Sequence, residues 1–109
     1  MIEREKIQQR AFKIIAEAGS AKSLAILALQ SAKNKQVNEA TKKLEQARRY
    51  FNEAHQYHRD LIQQEASGEN VTFSLVFMHA EDQLMSTETV IILVEELIEM
   101  YDYINGKCE

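Results

Sequence analysis

Across 109 residues there is no proline, and only two short stretches read as turns: Asn34-Lys35-Gln36 and Ser67-Gly68-Glu69-Asn70. Proline is the strongest helix breaker, costing about 3 kcal/mol in a helix interior. A chain without it, interrupted twice, is confined to three long helices. Alanine, leucine, glutamate, glutamine and lysine dominate what remains, and all favour helix. The expectation is an all-α chain with a single domain over residues 1–109. Connections this short return each helix beside its predecessor, giving an antiparallel three-helix bundle subunit.

The first segment runs from Ile2 to Lys33, with Ile7, Phe12, Ile14, Ile15 and Ala18, then Leu24, Ile26, Leu27 and Leu29, at helical spacing. Gly19-Ser20 lies in a run of small residues from Ala16 to Ala25, which predicts close approach of a neighbouring helix there. Asn34 is expected to end this helix in the left-handed conformation that asparagine tolerates. The second segment, Val37 to Ala66, is amphipathic, with Lys42, Lys43, Arg49, Glu53 and Arg59 on its wet face. Gly68 stops it, and Asn70 or Thr72 is the expected cap of the third segment, which runs from Val71 to Ile104.

That third segment carries Val90-Ile91-Ile92-Leu93-Val94, five apolar residues that cover the whole circumference of a helix. Branched runs also suit strands, but a lone short strand here has no partner. A helix apolar all round is buried on all sides. The excess over what a three-helix monomer can cover predicts self-association with this helix central.

Several functions are disfavoured. The formal charge is −4 and no strongly basic patch occurs, so nucleic acid is not an expected partner. Cys108, the single cysteine, can form no internal disulfide, which suits a reducing cytoplasm, and its terminal position argues against a catalytic thiol. The charged start, Met1-Ile2-Glu3-Arg4-Glu5-Lys6, does not read as a secretory signal, and no stretch has transmembrane length. A cytoplasmic protein is expected.

Chemistry concentrates in Ser74-Leu75-Val76-Phe77-Met78-His79-Ala80-Glu81-Asp82-Gln83-Leu84-Met85. His79 and Asp82 are three apart and share a helix face. A satisfied core histidine beside a solvated aspartate is one reading; a working pair is the other, since buried polar groups are costly unless paired or used. His55 and His58 are also three apart, but with no clear third ligand they read as packing or solvated side chains.

This stretch resembles the lactose/cellobiose-family enzyme IIA component of the bacterial phosphoenolpyruvate-dependent sugar phosphotransferase system (PTS). Gly19-Ser20-Ala21-Lys22-Ser23-Leu24-Ala25, Glu53-Ala54-His55 and Glu65-Ala66-Ser67-Gly68-Glu69 carry the resemblance along nearly the whole chain. It implies a three-helix subunit that trimerises into a nine-helix assembly. It implies that His79 takes a phosphoryl group from the carrier HPr and passes it to a cysteine of the cognate IIB component. The membrane is served only indirectly, through the IIC permease, for a β-linked disaccharide of cellobiose, chitobiose or lactose type. Three copies of Asp82 would gather on the trimer axis around a divalent cation such as Mg²⁺, which would neutralise their repulsion. At the rim, Gln83 or Ser86 could hydrogen-bond phosphate oxygens.

Two positions depart from the usual family run His-Ala-Gln-Asp-His-Leu-Met. Gln83 replaces a histidine and cannot carry positive charge. Glu81 replaces a glutamine and adds a negative charge expected to repel a phosphoryl group beside it. The competing readings are a non-catalytic helical interaction module and a degenerate IIA homologue kept for regulation.

Overall fold

The computed structural model describes residues 3–108, with side chains as far as Gly106. It contains α1 (Arg4–Lys33), α2 (Val37–Ala66) and α3 (Leu75–Cys108), in a body measuring 61 × 20 × 19 Å. The expected helix start at Ile2 and the Cys108 side chain lie outside the described residues. The bounds of α2 are those expected, and Val90–Val94 is helical.

Both helix hairpin turns are closed by the same backbone device. After α1, the N–H of Lys35 donates to the carbonyl of Ala32 and that of Gln36 to Ser31. After α2, the N–H of Gly68 donates to Glu65 and that of Glu69 to Gln64. Each is a Schellman ending, which needs one left-handed residue just past the cap. Gly68 fills that place at φ 98°, as expected; in the first turn it is Lys35, at φ 63°, and not Asn34, whose φ is −91°. Asn34 is the capping residue one place earlier, where an ordinary conformation serves. The left-handed region costs a residue with a Cβ about 1–2 kcal/mol. Lys35→Gly is therefore expected to stabilise the fold by about 1 kcal/mol, read as a higher urea midpoint at unchanged slope.

The third helix starts four residues later than expected. Ser74, rather than Asn70 or Thr72, caps it: its hydroxyl accepts the N–H of Phe77 at 3.3 Å and its carbonyl that of Met78 at 3.0 Å. Val71, Thr72 and Phe73, branched or aromatic, are poor first-turn residues, and the serine is the first cap with a helical run behind it.

The buried apolar positions of α1 are Ile7, Ala11, Ile14, Ala18, Ala21, Ala25, Ala28 and Ala32, spaced alternately four and three apart. α2 buries Ala40, Ala47, Ala54 and Leu61 at sevenfold spacing, and α3 buries Ala80, Leu84, Thr87, Ile91 and Val94. This is the 3.5-residue seam of coiled-coil packing. Because so many members are alanine, the axes can come close and little side-chain volume is enclosed. Gly19 does not serve that approach: it lies on the surface, and a Cβ added there meets nothing within 4 Å. The seam passes through Ala18 and Ala21 instead.

Helix α1 is the hub. It packs extensively against both α2 and α3, whereas α2 and α3 touch each other sparsely. Within the subunit α3 therefore keeps uncovered the apolar excess that its sequence leads one to expect. Ile91 and Val94 point inward, but Ile92 and Leu93 are 53% and 56% exposed, and Leu75, Met78, Met85, Leu97 and Met100 continue an open apolar stripe.

One α1–α2 contact titrates. Glu17 hydrogen-bonds Glu53, and its other oxygen, Oε2, is buried without a partner. Burial first, then the hydrogen bond and charge of Glu53, push the Glu17 carboxyl above its ordinary pKa of 4.5, against an opposing pull from Lys13. Between the ordinary and the raised value the folded state therefore holds a proton that the unfolded chain has released. Stability should fall as pH rises from the ordinary value through the raised one. In Glu17→Gln that fall should disappear and stability at pH 7 should rise, as denaturant midpoints between pH 4 and 7 would show.

Candidate functional site on the third helix

Ser74 sets where α3 begins, and so places His79 in its second turn. The imidazole is exposed, and among the described residues neither ring nitrogen has a hydrogen-bond partner. A satisfied core histidine is thereby ruled out. Asp82, one turn on, is exposed on the same face, between exposed Met78 and Met85. Gln83, also one turn from His79, is half-buried along its flank. These three form one patch. Ser86 does not join it: seven residues on, it lies about 10 Å along the helix, with its hydroxyl 3.4 Å from the Lys22 ammonium of α1. Thr87, fully buried, donates to the Gln83 carbonyl at 2.8 Å and lies 3.3 Å from that of Ala18, which pins this part of α3 to α1.

The side of α3 turned away from His79 holds a contact that the sequence did not disclose. Phe77 and Glu81, one turn apart, both engage His58 of α2. The His58 Nε2 is 2.9 Å from Glu81 Oε2, and the rings of His58 and Phe77 stack at 6.0 Å and 18°. His58 is 9% exposed. Glu81 therefore does not stand beside His79 as a repelling charge; its carboxylate is drawn to the opposite side of the helix by an imidazole N–H. His55 is engaged elsewhere, with Nδ1 3.1 Å from Arg59 and its ring stacked on Phe51 at 5.7 Å. The two α2 histidines do not converge. Among the described residues no group of three or more His, Cys, Asp or Glu could hold a metal ion within one chain. A cleft of about 440 Å³ opens on the side of α3 that carries Phe77 and Glu81, walled also by Leu61, Ile62, Phe73 and Met78, with Glu65 lining it.

The family model for the lactose/cellobiose-specific IIA subunit of the PTS matches residues 9–102. The chain belongs to this family. The IIA subunit is 40% identical over 100 residues to the lichenan-specific phosphotransferase enzyme IIA component of Bacillus subtilis, covering 92% of this chain and 91% of that one. The crystal structure of the PTS cellobiose-specific enzyme IIA from Bacillus anthracis superposes with a TM-score of 0.89 at 37% identity, over 98% of this chain and 96% of that one. A chain in the solution structures of the IIA(Chitobiose)–HPr complex of Escherichia coli matches with a TM-score of 0.78 at 31% identity, over 91% and 96%. The three-helix fold is that of these IIA structures, and membership makes the subunit a phosphotransfer component. Among the described residues no helix is long and apolar enough to cross a membrane.

Proposed function

We propose that the IIA subunit carries a phosphoryl group on His79, received from phospho-HPr and delivered to a cysteine of a cognate IIB component. The observation that carries this reading is the exposed, unpartnered imidazole of His79 within the stretch shared with the family. A neutral ring nitrogen is a competent nucleophile near pH 7. It attacks the phosphorus of the carrier's phosphohistidine in line. A new P–N bond forms while the donor P–N bond breaks, its electron pair returning to the donor ring. Each imidazole keeps the proton on its other nitrogen throughout. In the second step the IIB thiolate sulfur attacks, the P–N bond breaks and a P–S bond forms.

The surroundings supply position more than chemistry, as phosphoryl transfer requires. Helical side chains lean toward the N-terminus, so a group on His79 tilts toward the opening turn of α3, where the helix dipole favours negative charge. Gln83 is close enough to hydrogen-bond a phosphoryl oxygen; Ser86 could do so only in another chain's site. HPr as partner is supported by the complex of the related chitobiose protein. The sugar that profits is of the β-linked disaccharide type and is bound elsewhere in the system.

Assembly belongs to the same reading. Ten of the sixteen buried apolar residues among those described are alanine, while the large apolar side chains of α3 face outward. A second and third copy would cover that stripe, giving a homotrimer of nine helices. Asp82 interrupts the stripe, and three copies on an axis would repel unless a hard, oxygen-preferring cation such as Mg²⁺ lay between them. That cation would supply charge neutralisation only. Chelation should lower the melting temperature of the native protein by several degrees and leave Asp82→Leu unaffected, with the bound cation assayed directly by elemental analysis.

The direct test is transfer of label from phosphoenolpyruvate through enzyme I and HPr. The native protein should acquire acid-labile, base-stable label and pass it on to a IIB. A protein that stays unlabelled while a control IIA is labelled under the same conditions would end this reading.

A further inference from the structure

We propose that His58 is a positioning residue for transfer at His79, acting through Phe77 and Glu81. The inference rests on the transfer reaction above. In an α-helix the residues two before and two after a given position project about 160° away from it on either side. Phe77 and Glu81 stand in that relation to His79, so a group gripping both holds the helix by the side opposite the reacting ring. His58 does this, stacked on Phe77 and within 2.9 Å of Glu81. The grip is local, because α2 and α3 otherwise touch sparsely. Among the described residues the other ion pair joining them, Arg48–Glu95, lies about four turns away along α3. It is also anchored, because His58 is almost buried, and the Leu61 next to it packs with Ile7 and Phe77.

The lever is short. A ring about 6 Å from the helix axis moves by about 1 Å when the helix turns by 10°. A displacement of that size is enough to spoil in-line attack. The glutamate at position 81, which stands where the family run has glutamine, thus has a task on this chain: it accepts the His58 N–H and fixes the direction in which His79 points.

The test uses the full-length protein, with phospho-HPr as donor and a double-mutant cycle of Glu81→Ala and His58→Phe. The phenylalanine keeps the ring against Phe77 and removes only the N–H. Each single variant should lower the rate constant of labelling by about tenfold, with KM for phospho-HPr within about twofold of native. The double variant should be no slower than either single one. Glu81→Gln, which retains an acceptor, should stay within about threefold of native. Rates are referred to folded, assembled protein, so a loss of stability alone would leave them unchanged. Native rates in either single variant, losses that multiply in the double, or a Glu81→Gln as slow as Glu81→Ala would overturn the proposal.

Hydrogen exchange of residues 75–82 in the same proteins reads the grip without any transfer. It should quicken in both single variants, and unchanged exchange would likewise sink the proposal. If the native protein takes no label while exchange responds as stated, the transfer reading fails and the clamp stands.

Discussion

His79→Asn should take up no label above background from phospho-HPr, while folding and assembling as the native protein does. The two halves of this result have separate physical grounds. The imidazole is exposed and makes no hydrogen bond among the described residues, so replacing it with another polar side chain should alter stability by no more than about 0.5 kcal/mol. Chemically the change is total, since an amide nitrogen has no lone pair free to attack phosphorus. Neither His55 nor His58 can take over. One is engaged with Arg59 and Phe51, and the other is nearly buried between Phe77 and Glu81. Label that persists in His79→Asn at the native level would place the phosphoryl group on another residue. The measurement is scintillation counting of the protein band, before and after mild acid.

The second large effect is on assembly. Leu93→Glu should convert a species of three-chain mass into one of 12.6 kDa, the mass of a single chain, in light scattering at micromolar concentration. Leu93 is 56% exposed in the subunit and lies on the stripe that holds Met78, Asp82 and Met85. On the free subunit a glutamate there is solvated and harmless. At a threefold interface three carboxylates would be desolvated together with no cation partner, at a cost of several kcal/mol per charge. A three-chain mass in Leu93→Glu would show that the interface lies on another face.

Much of the fold could be read directly from residue order. The bounds of α2 followed from the two turns, and Gly68 was legible because a left-handed residue after a helix is most cheaply a glycine. Lys35 was not, since nothing in a lysine announces a positive φ. Only the backbone bonds from Lys35 and Gln36 to Ala32 and Ser31 reveal it. The start of α3 is not legible in the same way, because Asn70, Thr72 and Ser74 are all competent caps, and the choice among them depends on which helix-forming run follows.

The site divides in the same way. His79, Asp82 and Gln83 share a face by spacing alone, which is a local property. The pairing of His58 with Glu81 joins positions 23 apart, and only the packing of α2 and α3 onto α1 brings them together. At position 81 the sequence accordingly shows the charge and not the direction of the side chain.

The hub arrangement of α1 bears on how the molecule breathes. Because α2 and α3 lean on α1 and scarcely on each other away from the His58 and Arg48 contacts, the remainder of either outer helix can loosen without dragging the other. Within the subunit only α1 has both flanks sealed, so its amides should be the last to exchange with solvent, and those of α2 and α3 outside the His58 contact should open earlier. A subunit built this way is two doors hung on one post. The His58 contact then keeps the His79 end of α3 aligned with the post while the rest of both doors moves.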